Sequence, residues 1–183
     1  MDTLRLAVEA LIRLAQDVIL AGAVLVPPDD LFEVTATPSL MIQGPTIGEN
    51  RNRRSEAHRV ARDLASLTYR RCKTPRFYHL DFELVLTAAD TATLLDFQEK
   101  VARFFQQHPS IHIEDRGSLN LTELTPMGGL KRVNLSDLRQ SAGRCRIEDC
   151  PVFDGMIQSG PLIRDRRFEF RGDVHENRGY AGT

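Results

Sequence analysis

The chain of 183 residues carries a formal net charge of -1, with 27% charged and 42% apolar residues, which suits one domain with a real core. Near-neutrality argues against wholesale coating of nucleic acid or an anionic membrane. Three cysteines, Cys72, Cys145 and Cys150, do not make a disulfide scaffold, and they lack the paired CxxC spacing of a zinc site.

Reduced, half-buried thiols are therefore expected. Cys145 and Cys150 are five apart and point oppositely if one straight strand carries both. Arginine supplies 21 of the 24 basic residues. Its planar fork suits contacts with carboxylates and phosphates, although GC-rich coding gives the same bias.

The chain opens on helical spacing. Leu4, Val8, Leu11, Ile12, Ala15, Val18 and Ile19 form a stripe, Asp2 or Thr3 can cap it, and Gly22 weakens its end. Arg5, Glu9, Arg13 and Asp17 interrupt residues 4–26 every four positions, which excludes a transmembrane span or a signal segment and implies an intracellular protein. The apolar stripe is expected to pack on the chain's own sheet. Ala23 to Pro28 reads as a strand or extended loop. Leu40 to Gln43 reads as a brief strand, with Pro38 and Gly44-Pro45 suited to an edge or a strand end.

From Arg51 to Arg76 nine basic residues meet two acids, Glu56 and Asp63. Arg51, Arg53 and Arg54 are candidates for a protein interface or a phosphate contact. The alternative is a solvated loop followed by a long strand or short helix through Val60, Leu64 and Leu67. Aromatic side chains are too sparse here for a single-strand stacking platform. Leu67 to Cys72 and Phe77 to Leu86 are expected to pair as antiparallel strands across Cys72-Lys73-Thr74-Pro75-Arg76.

The clearest pattern follows. Tyr78, Leu80, Phe82, Leu84 and Leu86 alternate with His79, Asp81, Glu83 and Thr87, with Val85 the apolar exception, so one strand face is buried and the other wet. After Asp90, a candidate N-cap, Leu94, Leu95, Phe97, Val101, Phe104 and Phe105 mark a helix over about 90–107 that must lie back on the sheet. Ile111 to Ile113 and Gly117 to Leu124 read as strands, the second ended by Pro126-Met127-Gly128-Gly129. Asn134 to Asp137 reads as a turn or helix cap. Arg144 to Phe153 reads as a strand with a bulge near Asp149, and Gly160 to Arg171 as a last strand after the turn at Asp154-Gly155. Residues 172–183 read as a flexible tail or as an arm that orders on a neighbour, with Tyr180 its candidate contact.

Chemistry is hard to find. No phosphate-cradling glycine frame occurs, and the histidines are scattered. His79, Asp81 and Glu83 share one strand face, an arrangement that can bind a metal or move protons but is usual for a wet sheet face. No enzyme, catalytic residue, metal or cofactor is expected. Alternating charges at Asp165, Arg167, Glu169 and Arg171 suit instead a contact between identical subunits.

Local texture adds a resemblance. The amphipathic helix, Gln43-Gly44-Pro45, Glu49-Asn50-Arg51, the strand Arg76–Phe82, the helix with Leu94-Leu95-Asp96-Phe97 and Phe104-Phe105-Gln106-Gln107-His108-Pro109, Leu121–Leu124 and Leu135–Arg139 occur in this order. Together they resemble the tail terminator, or tail-completion, proteins of long-tailed bacteriophages, above all contractile-tailed ones. The resemblance implies an α+β fold: a mainly antiparallel twisted β-sheet flanked by an N-terminal helix and a central helix, in one domain over 1–171. It further implies a structural virion protein forming a six-fold ring on the tail tube, which ends tail polymerisation and joins tail to neck. Its partners would be its own copies, tail tube protein, tail sheath protein and neck or connector proteins. Genomic DNA would pass through the lumen, and assembly would occur in the host cytoplasm. Because arginine–phosphate contacts would arrest the DNA, Asp81 and Glu83 are the lumen candidates, while Arg51, Arg53 and Arg54 face protein. A stopper or other connector, or a nucleic-acid-binding assembly factor using residues 51–76, are the alternatives.

Overall fold

Two amphipathic helices cover one face of a six-stranded sheet, and a three-stranded sheet stands apart from that core. The computed structural model describes residues 3–28, 30, 34–113, 117–129 and 137–162. Helix α1 spans Thr3–Val18, and β1 (Val24–Val26) and β2 (Ser39–Glu49) follow. A short 3-10 turn, Arg51–Arg53, leads into β3 (His58–Asp63), β4 (Thr68–Lys73) and β5 (Arg76–Ala88). Helix α2 (Thr91–Gln107) precedes β6 (Ser110–Ile113), β7 (Gly117–Gly129), β8 (Arg139–Val152) and β9 (Ile157–Pro161). The expected α+β class with a twisted, mainly antiparallel sheet is what the chain forms.

The larger sheet has the order β1-β2-β5-β8-β7-β6, with only β1 and β2 parallel, and the smaller one the order β3-β4-β9. The central strand β5 behaves as its alternation dictates. Leu80, Phe82, Leu84 and Leu86 are buried, in one cluster with Leu40 and Ile42 of β2, Leu121 of β7, and Cys145 and Ile147 of β8. Onto that face α1 presses Ala7, Leu11 and Ala15, and α2 presses Leu94, Val101 and Phe104. Each leucine, valine or phenylalanine side chain among them taken fully out of water stabilises the fold by about 1.5–3 kcal/mol, and the alanines by less. Asp90 caps α2 as expected, accepting from the Thr93 amide at 2.8 Å. Gln98 of α2 reaches the sheet, its Nε2 donating to the buried Ser141 Oγ at 2.7 Å.

Several expectations are corrected. The buried line of α1 is Ala7, Leu11 and Ala15, flanked by the half-buried Leu4, Val8 and Ile12, while Val18 is exposed. Strand β2 lies inside the sheet, not at its edge, and runs through Gly44-Pro45 by a register shift between Gln43 and Thr46. Gly44 has φ +140°, and a Cβ there would lie 2.8 Å from the Asp81 carbonyl, so glycine is required. Strand β7 likewise continues through Pro126–Gly129 by two register shifts. Thr87 is buried, not wet.

The largest correction concerns pairing. β4 does not pair with β5; it joins β3 in a hairpin and accepts β9 on its other side. Pro75, which removes a ladder donor, lies between β4 and β5, and those two strands enter different sheets. β8 is bulged near Asp149, as expected: the register to β5 shifts between Tyr78 and Leu80, and Asp149 has φ 57°. The bulge changes the cysteine geometry, since Cys145 and Cys150 are both fully buried where a straight strand would oppose them. All three cysteines are free. Expectations for Asn134–Ser136 and for the last strand beyond Leu162 lie outside the described residues.

Candidate interaction surface

The face of the large sheet opposite the helices carries its charges in cross-strand rows. Direct pairing across β5 and β8 sets Asp81 opposite Arg146 and Glu83 opposite Arg144. Arg146 forks onto Asp81, with Nε to Oδ1 at 2.6 Å and Nη2 to Oδ2 at 2.9 Å. The guanidinium holds the Asp81 carboxyl below the usual carboxylate range, against a smaller opposing effect of burial. Of the two lumen candidates, Asp81 is thus neutralised by its neighbour, and Glu83 is exposed opposite a cation.

At one end of this face the 3-10 turn is tied to the β8 bulge. Asn50 Nδ2 donates to Asp149 Oδ1 at 2.8 Å, and Arg53 Nη1 to Oδ2 at 2.7 Å. The Arg53 guanidinium also lies 4.5 Å from the centre of the Phe77 ring. Burial pushes the Asp149 carboxyl up, and the bonds from Asn50 and Arg53 outweigh it, so its pKa is lowered. The three interface candidates of this turn therefore differ. Arg53 is bound within the chain, Arg54 lies 3.9 Å from Glu56, and Arg51 is exposed with no ion pair among the described residues.

The third element is a sheet of its own, where the sequence leads one to expect a solvated segment with a strand or short helix through Val60 and a strand over Leu67–Cys72 paired with β5. Every residue of β3 is exposed, as are half of β4 and most of β9. The small sheet is an arm without a helix on either side among the described residues. Its tip is ordered by Asp63, whose Oδ1 accepts from the Ala65 and Ser66 amides at 3.0 and 3.2 Å. The signal present in the sequence was an absence: His58–Lys73 alternates too weakly to have a buried face. Asp165, Arg167, Glu169, Arg171 and Tyr180 lie outside the described residues.

Among the described residues no group of three or more His, Cys, Asp or Glu is placed to hold a metal ion. Burial pushes the Cys145 thiol up to about 12 and the Cys150 thiol up to about 11, so neither is a thiolate nucleophile near neutrality. No helix is long and apolar enough to cross a membrane among the described residues.

With this geometry in place, comparison with solved structures gives several likenesses, among them these two. The sheath/tube terminator of an extracellular contractile injection system, in its extended state, matches 92% of this chain with a TM-score of 0.55 at 12% identity. The chain spans 64% of that protein's length. A chain of the virion of a native gene transfer agent particle matches 80% of this chain, and 93% of its own, with a TM-score of 0.44 at 17% identity. No protein-family model and no curated protein matches the sequence. The first likeness establishes a shared fold: the helix-covered antiparallel sheet is the one found in a sheath/tube terminator.

Proposed function

We propose that this chain is a structural virion protein, the terminator subunit of a contractile-type tail. Copies form a ring, a hexamer in our reading, that caps the tail tube, ends its polymerisation and joins the tail to the neck. The observation that carries this reading is the fold match to a sheath/tube terminator over 92% of the chain. The distribution of charge supports it. On the wet sheet face Asp81 and Glu83 lie opposite Arg146 and Arg144 in register, so these two carboxylates would add little net charge to a lumen wall. DNA in transit would neither be held by such a wall nor strongly repelled. Arg51, exposed at the turn, is the residue of the Arg51–Arg54 segment best placed to meet a tube, sheath or neck protein.

The reading is tested with tail tubes and purified protein. Native mass is measured alone and with tubes, and tube length is followed during polymerisation. A species of about 124 kDa, six times the 20.6 kDa chain, or tubes arrested and capped at one end, supports the proposal. Tubes that elongate unchecked at saturating protein would refute it. The basic segment 51–76 favours a second reading, a nucleic-acid-binding assembly factor, and steeply salt-dependent DNA binding without effect on tubes would favour it.

A further inference from the structure

We propose that the β3-β4-β9 arm docks on the body of a second copy of this chain, giving a head-to-tail contact held by charge. The inference deepens the ring reading above and rests on it for its biological setting.

The first argument is burial. A small sheet needs an apolar face packed on something to be stable. Among the described residues no helix or other sheet covers either face. Leu64 at the tip is 75% exposed and Ile157 of β9 is 68% exposed, with Val60 and Met156 exposed as well. A surface of this kind is stabilised when a partner covers it.

The second argument is the register. Directly opposed residues share a face, so Val60, Arg62, Tyr69, Arg71, Lys73 and Gln158 point one way. That strand face has three cations and no carboxylate. Lys73 is met by Glu56 at 3.1 Å, and Arg71 bonds His58, but Arg59, Arg62, Arg70 and Arg71 form no ion pair among the described residues.

The third argument fixes the occupant. His58–Lys73 contains five of the 24 basic residues and one of the 25 acidic ones, a net charge of +4, so the rest of the chain carries -5. Arm against arm would set like charges together. Arm against body sets opposite charges together, and such a heterologous contact, repeated, is the kind that builds a ring when the rotation between copies closes. Nucleic acid fits less well: phosphates would leave Val60, Leu64 and Ile157 uncovered. Tyr69, whose ring lies over Gly160 where an added Cβ would come within 2.9 Å, is the arm's one aromatic side chain, and a single ring does not make a stacking platform for successive bases.

The test is sedimentation of the full chain, alone, across salt and protein concentration, beside an Arg70→Glu/Arg71→Glu variant and a Leu64→Ser variant. Melting curves and circular dichroism show whether each variant folds, and a fluorescent duplex DNA serves as competitor. The expected result is self-association weakened by salt and weakened at least about tenfold in the charge variant, with melting unchanged. Leu64→Ser, which leaves charge intact, is expected to weaken assembly without altering its salt slope. If wild type and both variants associate equally, the arm is not the contact, and the ring reading stands on its tube assay. A wild-type chain that stays monomeric at every concentration reached overturns the arm contact and likewise leaves the tube assay to decide the ring. DNA binding lost in the charge variant, with no self-association, overturns it in favour of nucleic acid.

Discussion

Arg146 and Asp81 are joined by two parallel hydrogen bonds across the two central strands, on the sheet face that no described helix covers. The pair is half-buried, with side-chain exposures of 31% and 23%, so it is screened less than a surface ion pair. Asp81→Asn removes the charge but keeps the shape, and is expected to cost about 1–2 kcal/mol in chemical denaturation. The pH dependence has a definite sign. The folded pKa of Asp81 lies below its ordinary 3.8. Its contribution is therefore fully present above that value and lost as pH falls through the lower, folded one. Acid unfolding of wild type and Asp81→Asn should converge in that range; curves that stay parallel would show that the difference does not come from the Asp81 charge, and curves that coincide throughout that the pair contributes nothing.

Arg53 and Asp149 form the second internal tie, between the 3-10 turn and the β8 bulge. A double-mutant cycle with Arg53→Ala and Asp149→Ala is expected to give a coupling of about 0.5–1 kcal/mol, since Arg53 is half-exposed. Asp149→Asn should be milder than Asp149→Ala, because asparagine tolerates the left-handed backbone at φ 57°. Additive single effects would mean that the turn is placed by its backbone alone.

Gly44→Ala is expected to destabilise by about 2–4 kcal/mol. The new methyl meets the Asp81 carbonyl at 2.8 Å and the Phe82 ring at 3.0 Å, and the backbone there is one that L side chains rarely adopt. A melting temperature unchanged by the substitution would show that β2 can slide past its bulge at little cost.

Thiol labelling separates the cysteines. Cys72 is partly exposed and is expected to react first, while Cys145 and Cys150 react only on unfolding. Burial raises the last two thiols to about 12 and about 11, leaving almost no thiolate at pH 8. Rapid labelling of all three in native buffer would contradict the packing of β8.

Phe82→Ala tests the core directly. Phe82 is buried between the helices and the sheet, 1% exposed, and its truncation is expected to cost about 3–5 kcal/mol in equilibrium unfolding. A loss below about 1 kcal/mol would mean that the helices do not close on β5.

The sequence by itself determined the elements whose chemistry is local. Strict alternation from Tyr78 to Leu86 defined β5 and its buried face, Asp90 marked the start of α2, and the charge spacing of residues 4–19 set an amphipathic first helix. These are one-dimensional signals, because burial on one face writes a period of 2 or 3.6 into the chain. Tertiary structure alone decided which strands pair. Hydrogen bonds between strands join any extended backbone, so nothing within Leu67–Cys72 says that β4 takes β3 and β9 as neighbours and leaves β5 to the other sheet. The same holds for side-chain partners. Arg53 and Asp149 are 96 residues apart, and only the β8 bulge, by adding a residue to one strand, turns the Asp149 carboxylate toward the turn and puts Cys145 and Cys150 on the same buried side.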